Sequence, residues 1–436
     1  MDATDRLDDT ARDLEDQEDA LLEGDRVLET SAARAALRHR DFRVVWLGAF
    51  ASNIGTWMQN VTLGALAFEL TRSPTFVSLV TFAQLGPLLV LSIVGGALAD
   101  MVDRRRMTVI AQFEQAIASV VLAFVVAGDN PNHTAIVLTV LAIGIGNALN
   151  APAWVALLPS LVPREELAGA ISLNSTQMNA SRVIGPAITG LLYPIVGAAG
   201  VFGINAATYL FAIGSLLMVR TPPLPPRDPA TPTGLKRLAS GIAIARRDPL
   251  VRRIITGLFI FSLLCLPFIG QMPTIAADNL DMNVKSFGYG LLYASFGFGA
   301  VTGAISIGTF LSNVPRRAVV LRGLFGFAVC LAAFGLVRDP APAYPIVAML
   351  GFAYFATVTA LNTILQVHLD DAVRGRVMSL WLMAFGGTVP LGLMLAGPIA
   401  EATNITLVLL YGAVVALALF VWVRFFVPPA APTAVS

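Results

Sequence analysis

Charge is what this chain has least of. Only 13% of its 436 residues are Asp, Glu, Lys or Arg, against roughly 25% in soluble domains. So little charge cannot cover a soluble surface of this size. With 56% hydrophobic residues and a mean hydropathy of +0.73, the chain reads as an integral membrane protein. Cysteine is nearly absent. Cys265 and Cys330 both sit in apolar segments, which excludes a disulfide framework and a cysteine metal site. The three histidines lack metal-ligand spacing: His39 lies in a basic stretch, and His133 and His368 stand alone near the ends of apolar runs. No phosphate-binding loop of the Gly-x-x-x-x-Gly-Lys-Ser/Thr kind is present, which argues against an ATP-driven pump. No cluster of His, Asp and Glu suggests an enzyme, and no cofactor or metal is expected. A net charge of +1 argues against a nucleic-acid partner.

What is there is apolar and regularly spaced. Twelve stretches have the length of a membrane helix, at 42–69, 76–99, 106–127, 133–158, 167–196, 199–220, 251–277, 286–312, 317–337, 342–366, 374–400 and 404–426. The domain plan follows. Residues 1–40 form an acidic tail, 12 of the 28 acidic residues lying in 1–30, and such a segment is expected to stay solvated. Residues 41–220 are a first six-helix half and 251–427 a second, with a C-terminal tail at 428–436. Between them, 221–250 begins Pro-rich and turns amphipathic, with Leu235, Leu238 and Ile242 at helical spacing among Lys236, Arg237, Arg246 and Arg247. That pattern predicts a helix lying at the membrane surface.

Basic residues set the orientation. Of 29 Lys and Arg, only Arg72, Lys285 and Arg338 fall in the loops of one side, and Arg182 falls inside a span. The rest lie in the tails, the linker and the opposite loops, which places both termini in the cytoplasm. The halves also echo each other at an offset of 207 residues: Gly144 with Gly351, Ser172 with Ser379, Gly185 with Gly392, Gly190 with Gly397, and Gly96-Ala97 with Gly303-Ala304. The expected fold is all-α, twelve transmembrane helices in two halves related by a parallel pseudo-twofold repeat.

Arg182 is the only charge between Ser172 and Gly197. Counted from Leu167 it lies roughly 22 Å along a helix, near the middle of a hydrocarbon core about 30 Å thick. A guanidinium there must face protein or water, so it is a candidate functional residue. A structural arginine bonded to neighbouring helices is the alternative.

Between the second and third spans the chain reads Gly96-Ala-Leu-Ala-Asp100-Met-Val-Asp103-Arg104-Arg105-Arg106. A glycine followed four residues later by aspartate and then a basic cluster resembles the signature loop of the major facilitator superfamily. Other phrases resemble its transmembrane secretion effector branch, which holds macrolide-efflux and enterobactin-export proteins. These are Asp41-Phe-Arg-Val-Val-Trp46, Asn53-Ile-Gly-Thr-Trp57-Met-Gln59, Glu69-Leu-Thr-Arg-Ser-Pro74 and Pro163-Arg-Glu-Glu-Leu167, with the run from Asn174 to Gly190. The resemblance implies a bacterial inner (plasma) membrane carrier working by alternating access. It implies that Gly96, Asp100, Arg104 and Arg105 latch the cytoplasmic side against the start of the eleventh span. Met101 and Asp103 depart from the pattern, standing where a basic residue and a glycine are usual. The second half keeps Gly303 but has Ile307 in place of the aspartate, so one latch is expected. Gly185-Pro186-x-x-x-Gly190 resembles the antiporter motif of exporters.

Polar residues in otherwise apolar spans outline a candidate substrate cavity: Asn53, Trp57 and Asn60 in the first, Asn147, Asn150 and Trp154 in the fourth, Tyr354 and Asn362 in the tenth, with Arg182. Interhelical polar glue is the competing reading. Glu114 in the third span is the best candidate acid, ahead of Glu69 and Glu401 near the outer ends of their spans. One of these, Glu114 first among them, is expected to pair with Arg182 in coupling. The function that emerges is proton-driven efflux of a hydrophobic or amphipathic small molecule, a drug, macrolide or siderophore. The expected partners are that substrate, protons and the lipid bilayer, and a monomer is expected. An importer or lipid-type carrier on the same fold, or a transporter-like receptor or scaffold, are the alternatives.

Overall fold

The structure, a computed structural model, describes residues 34–99, 102–219 and 234–426. The acidic tail to residue 33, Asp100, the Pro-rich start of the linker and the C-terminal tail from 427 lie outside them. Helix is the only extended regular structure among the described residues. In chain order the first half comprises α1 (Arg40–Thr71), α2 (Pro74–Ala99), α3 (Arg104–Val126), α4 (His133–Leu157) and α5 (Leu167–Leu217). The linker helix is α6 (Gly234–Arg247). The second half comprises α7 (Pro249–Cys265), α8 (Met272–Asp278), α9 (Phe287–Ser306), α10 (Arg316–Leu336), α11 (Pro340–His368), α12 (Asp371–Leu382), α13 (Val389–Ala402) and α14 (Ile405–Phe426).

Short polar residues start these helices by accepting their orphan backbone N–H groups. Asp103 accepts from Arg106, Asn132 from Ala135, Asp248 from Leu250 and Val251, Ser286 from Tyr289, and Asp339 from Ala341. Asp103, one of the two departures from the signature-loop pattern, is thus the N-cap of α3.

Among the described residues, nine helical stretches are long and apolar enough to cross a membrane. One of them, Arg164–Leu217, is 54 residues long, far more than one crossing needs. It reverses at Gly197, whose φ of 65° is open to glycine and strained for other residues. Helices α1 and α9 fall outside the nine. The first is diluted by Ser52, Asn53, Gln59 and Asn60, the second by glycines and serines. The run read as one span at 251–277 is broken by a 3-10 turn at Pro267–Ile269, where proline ends α7. A π turn at Met383–Gly387 divides α12 from α13. Phe124, Leu138, Ile195, Phe211 and Phe425 stand outward and exposed, as side chains facing lipid do.

The glycines that echo at 207 residues make matching contacts. A Cβ at Gly185 would lie 2.9 Å from Ile54 O of α1, and one at Gly392 would strike Leu263 O of α7. At Gly190 it would lie 2.9 Å from Phe287 O of α9, and at Gly397 2.9 Å from Pro74 O of α2. Gly144 sits against Gln84 O of α2 and Gly351 against Phe296 O of α9. Two of these contacts, α5 on α9 and α13 on α2, join the halves.

Let the tail end of the bundle be the one where α1 begins, and the far end the one where α1 ends. A polar belt joins the halves at the far end. Glu401 Oε2 accepts from Ser73 Oγ (2.7 Å) and Thr75 N (3.2 Å), and Lys285 Nζ pairs with Glu69. Buried Gln271 donates to Pro74 O (2.8 Å) and Ser78 Oγ (2.7 Å). Towards the tail end the inner faces uncover. On α5, Gly185 and Pro186 are buried, Arg182 is half-buried, and Met178 and Ser175 are exposed. On α11, Tyr354 and Val358 are buried, Asn362 is half-buried and Gln366 is exposed. The far end is closed and the inner faces open towards the tail end.

The linker helix forms where its amphipathic pattern places it, and it also packs. A Cβ at Gly241 would lie 2.6 Å from Arg376 O of α12, and Ala245 is buried in the core.

Candidate functional site

Arg182 sits where the two halves meet. Its guanidinium carbon lies 5.5 Å from the ring centre of Trp57 on α1 and 4.7 Å from that of Phe355 on α11. A cation held between two aromatic faces is attracted by both ring quadrupoles. Local packing explains the position. Gly185, one turn on, lets α5 settle on α1, and its missing Cβ would lie 2.5 Å from Trp57 Cβ. The backbone of Arg182 presses on the other half too, since a Cβ at Gly297 of α9 would lie 2.6 Å from Arg182 O. One guanidinium nitrogen, Nη1, is buried with no hydrogen-bond partner. A charged donor left open in this way is a natural point of attachment for an acceptor on a solute.

Tyr354, buried beside it, anchors an aromatic cluster built by five elements. Its ring lies 6.0 Å from Phe261, 6.2 Å from Phe296, 6.4 Å from Phe327, 4.6 Å from Phe355 and 6.2 Å from Phe385. Phe355 escaped sequence reasoning because phenylalanine in a membrane helix carries no signal by itself. Its position next to Tyr354 was the available clue.

The other expected cavity residues divide. Asn53, Asn147, Asn150 and Asn362 are half-buried, and Asn150 Oδ1 is buried without a partner. Asn60 accepts from Gln84 Nε2 of α2 at 2.5 Å, and Trp154 Nε1 donates to Asn174 Oδ1 of α5 at 2.9 Å. These two bind neighbouring helices and are half-buried. Asn362 accepts from Gln366 within its own helix (3.1 Å). Arg182, Trp57 and Tyr354 are therefore brought together, while Asn60 and Trp154 also tie their own half.

Glu114 does not meet Arg182. It stands against α4, where Gly146 leaves room for its carboxylate, and its Oε2 is buried without a partner. The two form no ion pair. Around Glu114 runs a polar network inside the first half: Ser52 donates to Gln112 (3.2 Å), Ser119 and Asn205 both donate to Gln59 (2.9 Å each), and Thr56 meets Tyr209 (3.3 Å). Gln59 and Asn205 are fully buried, and amides in long apolar runs were the signal for them.

At the tail end, Arg104 Nη1 donates to Ala156 O (2.9 Å), and Arg105 donates to Leu216 O (2.6 Å) and Leu217 O (2.9 Å). Both described sets of bonds stay within the first half, and those of Arg105 satisfy carbonyls at the end of α5. Arg317 repeats the role on Val423 O of α14 (3.0 Å). Gly96 lies in α2, and its expected partner in the latch, Asp100, is outside the described residues. Among the described residues no group of His, Cys, Asp and Glu suited to a metal is present. His39 pairs with Glu166 at 2.8 Å and His368 with Asp248 at 2.7 Å.

Comparison with known proteins fits this arrangement. The family model for transmembrane secretion effectors matches residues 31–435. The chain is 30% identical over 349 residues to the enterobactin exporter EntS of Escherichia coli O1:K1, covering 79% of this chain and 81% of that protein. It is 29% identical over 347 residues to EntS of Shigella boydii serotype 18, with the same coverage. Among solved structures it is similar to a point mutant of the nucleoside transporter NupG, with a TM-score of 0.73 and 15% identity over 89% of this chain and 100% of that one. It is also similar to a bacterial homologue of the lysosomal transporter Spinster in an inward-facing, unoccupied conformation. That match has a TM-score of 0.69 and 15% identity, over 88% of this chain and 96% of that one.

Proposed function

Because this chain belongs to the transmembrane secretion effector family of the major facilitator superfamily, we propose that it exports an amphipathic small molecule in exchange for protons. Membership makes it a multi-pass membrane transporter. The observation that carries the finer reading is Arg182, held between Trp57 of one half and Phe355 of the other. A solute carrying an acceptor and an aromatic or apolar body would bind there by charge and stacking. Leaving requires the halves to part, because the site is made by both. The enterobactin exporters among its relatives support a siderophore, macrolide or drug-like substrate and outward transport.

Twelve crossings in two repeated halves agree with the described helices. The two limbs of α5 count separately, and α1 and α9 complete the number. The matched glycine contacts support the parallel repeat. The positive-inside pattern puts the tail end in the cytoplasm of a bacterial inner membrane, so the described state opens inward. From it, rocking of the halves would close the tail end and open the far end. The signature loop, with Gly96 and Asp100 and the neighbouring Arg104 and Arg105, would hold the tail end shut in that second state. Gly185, Pro186 and Gly190 shape the α5 surfaces on which the halves turn.

Glu114 is the proposed proton carrier. Its carboxyl exchanges a proton without breaking an ion pair, and the network through Gln112, Gln59 and Tyr209 links its surroundings to α1. Coupling to Arg182 then runs through movement of α1, which carries Trp57.

The test uses inside-out vesicles with an acid interior and a panel of amphipathic dyes, macrolides and siderophores. Gradient-dependent uptake of a panel member, abolished in Arg182→Ala and Asp100→Asn, is the expected result. Uptake that Arg182→Ala leaves at the wild-type rate would remove the site assignment. Uptake that ignores the gradient would remove proton exchange.

A further inference from the structure

Within the second half, away from Arg182, helices α7, α10, α11 and α14 enclose a cavity of about 560 Å³ at the tail end. That is inside the range of about 300–1,000 Å³ typical of small-ligand sites. Its walls are apolar, formed by Ile254, Leu258, Phe261, Leu324, Leu361 and Ile364. Arg253, Arg316 and Arg317 also line it, and among the described residues no acidic one does. Two of these arginines are held in place. Arg316 Nη1 donates to Ile307 O and Arg317 Nη2 to Val423 O, each at 3.0 Å. Half-buried Arg253, on the first turns of α7, has no described carboxylate or carbonyl partner. The first half has no need of such an occupant at this end. There the start of α1 and the ends of α4 and α5 close on Phe42, Val45, Leu157 and Leu216, all buried.

We propose that this cavity holds an acyl chain of an anionic phospholipid, with its phosphate on Arg253, Arg316 and Arg317. Apolar walls capped by three guanidiniums match a lipid whose charge and chain are joined end to end. Arginine forks fit phosphate oxygens, and basic pockets between membrane helices take anionic headgroups. Neutral lipid would gain from the walls alone. The occupant would touch Thr357, Leu361 and Ile364 of α11, the helix that brings Tyr354 and Phe355 to Arg182. The lipid thereby braces that helix from behind.

The test is native mass spectrometry of the full chain, stripped of lipid in mild detergent and titrated with palmitoyl-oleoyl phosphatidylglycerol or phosphatidylcholine. One tight phosphatidylglycerol is expected, preferred over phosphatidylcholine by tenfold or more on the scale of a charge-assisted bond, about tenfold each. Arg253→Gln should lower that preference about tenfold and leave phosphatidylcholine binding as it was. Arg253 is chosen because Arg316 and Arg317 also hold helix carbonyls. Gly257→Leu should remove the tight site for both lipids, since a Cβ there would lie 3.3 Å from the Trp422 ring at the cavity wall. Equal binding of the two lipids by the wild type would overturn the proposal, as would tight phosphatidylglycerol binding unchanged in either variant. Displacement by glycerol 1-phosphate at equal concentration would show an anion site with no chain in it, and would overturn it as well.

Discussion

Replacing Gly190 with alanine adds one methyl group at the place where α5 of the first half touches α9 of the second. The new carbon would lie 2.9 Å from Phe287 O and 3.2 Å from Gly290 Cα. Both are backbone atoms, so no side-chain rotation relieves the clash. Overpacking of this kind costs about 1–3 kcal/mol. The cost falls on the state in which these two helices touch, which is the one closed at the far end. A ligand or clash that separates two states by 1–3 kcal/mol changes their ratio by roughly 5–150-fold. Gly190→Ala should therefore move the protein towards the state closed at the tail end. Nitroxide labels at Ser175→Cys and Gln366→Cys, exposed on α5 and α11, read this by electron–electron distance measurement. Cys265 and Cys330 are buried and can be replaced by alanine beforehand. The population of short tail-end distances should rise, and should rise again with Gly397→Ala, whose Cβ meets Pro74 O at 2.9 Å. An unchanged distance distribution together with a lowered unfolding midpoint would refute the reasoning, because the clash would then burden both states alike.

Arg182→Lys keeps the charge but not the flat face between Trp57 and Phe355; transport should fall about tenfold, the scale of a desolvated cation–π contact, and a wild-type rate would refute the stacking role. Glu114→Gln should abolish gradient-driven accumulation while downhill exchange of substrate continues; a wild-type proton stoichiometry would exclude this acid. Asp248 is a pH test. Burial pushes its carboxyl up, but the His368 hydrogen bond and the N–H groups of Val251 and Leu250 outweigh this and hold it below the ordinary 3.8. A depressed native value means the stabilisation is complete above that ordinary value and fades as pH falls through the lowered one. Asp248→Ala should cost about 1 kcal/mol at pH 7, seen as a lower unfolding midpoint in detergent, and the gap from wild type should close in strong acid; a gap that persists there would contradict the assignment.

Much of the architecture was legible because membranes make hydropathy decisive. The apolar runs correspond to helices, and Arg182 stood out because a lone charge in such a run has few roles. The linker helix was legible from its amphipathic spacing. Hydropathy is blind, however, to backbone breaks inside an apolar run. It averaged across Leu266-Pro267, where α7 stops, and across the π turn at Met383–Gly387. The aromatic cluster around Tyr354 was hidden for another reason: its members come from five elements, and no spacing along one helix brings Phe261 to Phe385. The expected Arg182–Glu114 pair combined two rare charges by elimination. In space the arginine finds aromatic rings, and the acid stands against Gly146 of α4 with one carboxylate oxygen unpartnered. Arg104 and Arg105 were assigned by motif to a latch whose partner Asp100 lies outside the described residues; their described bonds satisfy helix-end carbonyls, a need invisible until the helix ends are placed.

The breaks at Pro267–Ile269 and Met383–Gly387 are unequally distributed. In the proposed repeat, the run containing the first would correspond to α1 and the run containing the second to the first limb of α5, and both of those are continuous helices. On that reading the two halves share a plan but differ in stiffness. Uninterrupted α-helix makes α1 a rod that transmits a tilt over its full length, and the first limb of α5 stays helical through Pro186 and Pro194, although each removes one backbone hydrogen bond. Their counterparts in the second half have joints at which that tilt can be absorbed. Conformational change in this molecule should accordingly look like a rigid block moving against a jointed one, and hydrogen exchange of backbone amides should be fastest next to those two joints.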